Sequence, residues 1–372
     1  MRDIIREKLD KLDELFPAER LAKSKERWRR LWAGEPKLDR LPFMAEPLGL
    51  PMYDFTPAPG RLLLYLDRCI AHGHFEDDYI PSFFPGCHNA TIPNMFGARE
   101  IIKGEDCTCE RLLPKGYEQI AELPEPRIEK GSLAHGWLEM QRYVLEETEG
   151  RFPVHVIDMQ GPVDVAGQLV GYDQLYLAAM EAPELYEKLL NATTDAFIMF
   201  WRAQQKLLGA SFVGTHLWGH NYMPLEFGAT ASVDSMVMIS GPFFEEHFAP
   251  YLERIAAQFG GITVHSCGKF GGMIPNLMRT KGLRGVNASE MSVKQLAEAG
   301  VDGRVVILAG NHIDTIDDMV RYLKDNGLRA DLTLWGVWPW HETGGFKMPE
   351  DWTEADKSSV QRKNEKLLAC FA

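Results

Sequence analysis

His265 and Cys267 stand two residues apart in Gly261-Ile262-Thr263-Val264-His265-Ser266-Cys267-Gly268-Lys269-Phe270-Gly271-Gly272, an apolar β-branched run that breaks at glycines. Such a run predicts a buried strand that delivers its last side chains to a loop. On a strand, residues i and i+2 share a face, so the imidazole and the thiol point into one space. Both are borderline-to-soft ligands that suit Zn2+, which needs a third ligand and often a fourth. The plainer reading is a buried thiol beside a hydrogen-bonded histidine, since cysteine is among the most buried residue types. A strand end before a Gly-rich loop favours the metal.

Other residues compete to complete that site. His341 and Glu342 follow the last legible strand and are the better candidates, whereas Cys370 sits in the terminal helix. His216 and His220 form a separate pair around Trp218-Gly219, where the sequence is not helical and a spacing of four guarantees no shared face. Asp158, before Met159-Gln160-Gly161-Pro162, can act as a base, orient a substrate or cap the following helix. Glu290 stands in the same relation to Ser292, and Asn311 ends a further strand. Trp335, Trp338 and Trp340, with Gly336 and Pro339 between them, predict a pocket wall for a flat or apolar ligand. Cys107-Thr108-Cys109 repeats the i, i+2 relation in a charged turn without a nearby histidine and reads as ordinary thiols. The stretch from Glu76 to His88 mixes acids with aromatics, either as a surface loop or as a substrate wall.

These residues need strands to carry them. Residues 1–33 read as two amphipathic helical stretches, with Ile4, Ile5, Leu9, Leu12 and Leu15, then Leu21, Trp28 and Trp32. Leu41–Ala45 reads as a first strand, and the proline-rich 46–134 as loops and short helices over a binding face. From Pro153 the pattern is regular: a strand at 154–158, a helix at 183–208 stopped by Gly209, and a strand at 211–218. A helix follows from Ser240 and Pro242 to Gly260. Strands then fall at 283–290, 305–311 and 332–337, with a capping box at Ser292 and a helix capped by Asp314. Strand and helix alternate, which implies a parallel sheet covered on both faces. About eight strands, with no Gly-x-Gly-x-x-Gly turn, predict a (β/α)8 TIM barrel (residues 41–372) behind a helical N-terminal extension (1–40). In such a barrel the catalytic groups collect at the C-terminal ends of the strands, where Asp158, His216, His265, Cys267, Glu290 and Asn311 all fall.

A chain of 372 residues, 45% hydrophobic and 25% charged, describes a globular protein with a large core. The formal charge of −13, without a Lys or Arg cluster, speaks against a nucleic-acid partner. No uncharged run reaches the ~18 residues of a membrane span. The mixed charges of the opening residues do not read as a secretory signal. Six cysteines are too sparse for a disulfide framework. A cytoplasmic location with reduced thiols is the expectation.

The chain resembles the uroporphyrinogen decarboxylase superfamily, and within it the corrinoid-dependent methyltransferases. The likeness rests on Asp158-Met159-Gln160-Gly161-Pro162-Val163-Asp164, Met238-Ile239-Ser240-Gly241-Pro242 with Tyr251-Leu252, His265-Ser266-Cys267-Gly268, and Ala309-Gly310-Asn311. It covers most of the chain from about residue 40. The resemblance implies a (β/α)8 barrel. The decarboxylases carry an arginine motif after the first strand, and Met44-Ala45-Glu46-Pro47-Leu48-Gly49-Leu50-Pro51 has none. The thiol-methylating branch has His-x-Cys-Gly and a third zinc ligand, a cysteine, at the end of the last strand. Here that place reads Trp335-Gly336-Val337, so either His341 or Glu342 substitutes or the zinc is lost. The resemblance implies a zinc methyltransferase acting between a small substrate, such as an aryl methyl ether, and a cobalamin carried by a partner corrinoid protein. In that reading Asp158, Glu290 and His216 serve catalysis, while Trp335, Trp338, Trp340, Asn311 and His220 bind substrate. A uroporphyrinogen-type decarboxylase and a non-catalytic tetrapyrrole or aromatic carrier are the alternatives. A homodimer is open.

Overall fold

The computed structural model describes every residue except 36, 37, 47–56, 87, 104, 105, 214–221, 343 and 372. His216 and His220 therefore lie outside the described residues. The strands are β1 (Phe43–Ala45), β2 (Glu100–Lys103), β3 (Asp106–Cys109), β4 (Val154–His155), β5 (Phe212–Val213), β6 (Ala229–Ser232), β7 (Ile262–Ser266), β8 (Leu283–Ala288), β9 (Val306–His312) and β10 (Arg329–Trp335).

Continuous apolar runs need cover on both faces, and the strands that carry them lie in one parallel sheet ordered β1-β10-β9-β8-β7-β6. All five residues of β7 are buried. The longest ladder joins β10 to β9, from Arg329 opposite Val306 to Trp335 opposite His312.

The sheet's two edges meet. The Asp78 N–H donates to Phe43 O (2.9 Å), Phe83 bridges Val154, and Gln160 bridges Ser232 at the end of β6. β5 and β6 thus border the start and the end of the 154–160 segment. Side chains also serve this segment's backbone: the Ile157 N–H donates to Gln204 Oε1 (3.0 Å), and Gln141 Nε2 donates to His155 O (3.1 Å). With helices between the strands, the architecture is the (β/α)8 barrel expected from the alternation.

The opening helices are Arg2–Leu15 and Ala18–Ala33, and they bury Ile5, Leu9 and Leu12, then Trp28, Leu31 and Trp32. Asp78, fully buried, fastens the second of them. Its carboxylate accepts from Ser24 Oγ, Arg27 Nη1 (2.9 Å), Arg40 and the Phe43 N–H, and its carbonyl accepts from Trp28 Nε1. Asp77 beside it accepts from the Ala45 N–H (2.7 Å) and meets His72 Nε2 (2.7 Å). Asp77 and Asp78 of the 76–88 stretch are therefore internal fasteners, while Glu76 is exposed.

Several elements differ from the sequence reading. The proline-rich region contains a helix at Ala58–His72, because Pro57 and Pro59 fall at its opening, where proline's missing N–H costs nothing. The 240–260 helix is two, Gly241–His247 and Ala249–Phe259, since Pro250 opens the second. Asp314 is not a cap. The His312 side chain accepts from its N–H, and the helix begins later, at Ile316. The helix Pro183–Leu208 and the Ser292 capping box are as expected. No helix among the described residues is long and apolar enough to cross a membrane.

Candidate metal centre

β7 brings His265 and Cys267 to the C-terminal rim of the barrel, with His265 Nε2 3.3 Å from Cys267 Sγ. The neighbouring strand supplies a third group. β6 ends at Ser232, and two residues later Asp234 turns its carboxylate back, accepting the Cys267 N–H at 2.7 Å. Asp234 Oδ1 lies 3.8 Å from His265 Nε2. The nitrogen, sulfur and oxygen ligand atoms all lie within 4.8 Å of one another.

The surroundings fix each member. Asn287 Nδ2 donates to Leu308 O (2.8 Å), which leaves its Oδ1 facing His265 Nδ1. The proton of the imidazole therefore sits on Nδ1, and the Nε2 lone pair faces Cys267 and Asp234. Asp164, buried on the helix Pro162–Val170, accepts the N–H groups of Asp234 (2.7 Å) and Ser235 (3.0 Å), so the turn that carries Asp234 is held from below. Burial lifts the Asp164 carboxyl to about 7 against those bonds.

Asp158 joins from the 154–160 segment, where the Ser232 hydroxyl donates to its Oδ1 at 3.3 Å. Burial raises its pKa, with Asp234 adding to the effect, while His265 and the Ser232 bond oppose it. Burial also pushes the Cys267 thiol up to about 12, helped by Asp234, Asp158 and Glu290. A thiol so surrounded keeps its proton until a cation offsets the three carboxylates. This donor set fits a borderline divalent ion: one imidazole nitrogen aimed by its tautomer, one thiol and one carboxylate.

The structure thus gathers His265, Cys267 and Asp158, with Glu290 close enough to act on the thiol. It does not gather the rest. His341 and Glu342, expected as ligands, are exposed in a turn closed by the His341 N–H to Gly345 O bond (2.9 Å), outside the group around His265. Asp234 stands in that group instead. Trp338 is no pocket wall either. It is 2% exposed and packs among Phe75, Phe346 and Trp352, with Nε1 donating to Glu46 O. Trp340 is exposed and leans on Phe346 (4.5 Å). Trp335 ends β10 with its indole over Gly310, whose missing side chain makes the room. Asn311 spends its amide on His312 O and Thr315 Oγ1 in its own turn.

Sequence reasoning missed Asp234, Asn287 and Asp164 as site residues. Asp234 follows Ala229-Thr230-Ala231-Ser232-Val233, a strand too short and too small-sided to stand out. Asn287 and Asp164 act through partners distant in sequence. The signal available was position alone, a carboxylate just beyond a run of small residues.

No curated protein matches the chain in sequence. In fold it is similar to a methyltransferase from Methanosarcina mazei, with a TM-score of 0.63 at 16% identity over 93% of this chain and 99% of that one. Residues 91–316, more than half of the sequence, match uroporphyrinogen decarboxylase (URO-D), and the chain belongs to that family.

Proposed function

We propose that this protein is a methyltransferase that moves a methyl group between a small substrate and the corrinoid of a partner protein, with one zinc ion held by His265, Cys267 and Asp234. The observation that carries this reading is the convergence of an imidazole nitrogen, a thiol and a carboxylate at the rim where barrels of this class place their chemistry. The likeness in fold to a methyltransferase supports it.

Bound there, zinc supplies Lewis acidity to the atom that the methyl group leaves. The chain's own residues do the rest. His265 offers Nε2 because Asn287 holds the Nδ1 proton, and Cys267 gives up its proton on binding. A donor set with one thiolate and one carboxylate suits an oxygen or nitrogen leaving atom better than a thiol. An aryl methyl ether is the first substrate to test, with the exposed face of Trp335 as its aromatic contact. Asp158, its carboxyl raised by burial, is placed to return a proton. As the carbon–oxygen bond breaks, its electron pair stays on oxygen, which takes the Asp158 proton. The methyl carbon takes its new bonding pair from the reduced corrinoid.

The test is demethylation of a panel of aryl methyl ethers and methylamines by zinc-loaded protein with a reduced corrinoid protein, followed by the corrinoid's visible spectrum. Turnover that falls ~10²-fold or more in Cys267→Ser is the expected result. Metal-independent release of carbon dioxide from uroporphyrinogen, without methyl transfer, replaces this reading with a decarboxylase.

A further inference from the structure

A second group of ligand-type side chains, separate from the His265 group, lies at the segment whose Gly86 O and Asn89 meet the Asp158 N–H and Gln160. The hairpin of β2 and β3 pairs Glu100 with Cys109 and Ile102 with Cys107, so Glu100 and Cys107 are diagonal neighbours on one face. The segment before the helix Thr91–Met95 lays His88 against that face. His88 and Cys107 are 5% and 2% exposed, while the Glu100 side chain keeps 27% of its surface. The ligand atoms of the three lie within 4.8 Å of one another.

The contacts have a particular form. Glu100 Oε1 is 2.6 Å from His88 Nε2, Cys107 Sγ is 3.0 Å from that same nitrogen and 3.4 Å from Nδ1, and Sγ is 3.6 Å from Oε1. A relay of the nucleophile–base–acid kind puts its acid and its thiol on opposite ring nitrogens. Here Glu100 holds Nε2 while the thiol lies across the ring within reach of both nitrogens, nearer the one Glu100 holds. A single Nε2 has either one proton or one lone pair, so it cannot serve two partners at once in the way a cation between all three can. Among the described residues no lysine or arginine pairs with Glu100, whose one ion-pair partner is His88.

We propose that His88, Glu100 and Cys107 form a second metal site, distinct from the one on the rim and selective for a borderline divalent ion of the zinc class. Tetrahedral zinc sets such donors roughly 3.3–3.6 Å apart, so binding requires that Glu100 and Cys107 each back away slightly from His88 Nε2. The Cys107 proton leaves to solvent, and the fourth position opens through the Glu100 side. Trp137 stands edge-on to His88 at 5.9 Å and donates Nε1 to Thr91 Oγ1 (3.0 Å), which holds the ring in place. The ion pins the hairpin to the helix that precedes the barrel's second half.

Metal analysis of the full chain, loaded with zinc and freed of loose ions, tests this. Expected are two zinc ions per wild-type chain, one in Cys107→Ser, one in Cys267→Ser and none in the double variant. One ion in the wild type, unchanged in Cys107→Ser, overturns the proposal in favour of a plain hydrogen-bonded cluster. Because Cys107 is buried and its variant could fail to fold, Glu100→Gln provides the second measurement. It keeps the shape and removes the charge, and titration with cadmium alone, read by thiolate-to-cadmium absorption, is expected to weaken one of two binding events by at least ~10-fold. Two unaltered events, or a single event that Glu100→Gln leaves unaltered, also overturn it. Loss of the rim metal leaves the hairpin result standing, so the two sites are judged separately.

Discussion

Asn287 decides what His265 can do. It touches no proposed substrate, yet by holding the Nδ1 proton it turns Nε2 toward the ligand position. Asn287→Ala is expected to weaken zinc at the rim by about 10- to 100-fold in a chelator competition while the fold stays intact. Asp234→Asn is expected to weaken it further, because it removes a donor outright. Glu46, just beyond β1, gives a pH prediction of another kind. Burial alone lifts its carboxyl to about 7 from 4.5. Its folded-state value lies above the unfolded one, so stability is fullest below about 4.5 and declines as pH rises through 7. Glu46→Gln is expected to flatten that decline and to be more stable than the wild type at pH 8 by on the order of 1 kcal/mol, allowing for solvent screening. Urea titrations at pH 4 and pH 8 read the difference, and a wild type that gains stability relative to the variant on going to pH 8 rules it out.

Elements, more than residues, were legible in the sequence. The helix Pro183–Leu208 announced itself through a long apolar spacing that ends at glycine, and β7 through its β-branched run. The proline-rich 57–134 region was not, because proline at a helix opening and proline in a loop look alike without the backbone. The site was legible where both ligands sit on one strand. It was illegible where the third member of the group, Asp234, came from beyond the next strand, since parallel pairing joins residues far apart in sequence. The turn that carries Asp234 depends on Asp164, whose two oxygens accept two N–H groups. Asp164→Asn keeps one acceptor. It is expected to cost about 1–2 kcal/mol in denaturant unfolding and to raise the zinc dissociation constant along with it. A stability loss with unchanged metal affinity separates the turn from the site.

At the scale of the molecule, Asp78 ties the opening helices to the barrel. Three segments, at Ser24 and Arg27, Arg40, and Phe43, converge on one buried carboxylate. Asp78→Ala leaves two guanidinium groups in a poorly solvated place and is expected to cost about 3–5 kcal/mol. Early proteolytic cleavage near residues 34–40 is the accompanying sign. A variant as resistant as the wild type contradicts that role.

The closing seam of the barrel has a kinetic meaning. From β6 through β10 to β1 the strands are laced by continuous ladders, while among the described residues the 154–160 segment is joined by the short β4–β5 ladder, by bridges at Phe83 and Ser232, by the Asp158 N–H to Gly86 O bond and by two glutamines. Free energies of local opening follow the number of bonds that break together, so the amides of Asp158 and Ser232 are expected to exchange with deuterium well before those of β9. His265 stands in the long ladder, and Asp158 stands in the segment expected to open first. A bulky carrier that must bring a cofactor to the rim would meet one firm side and one that yields.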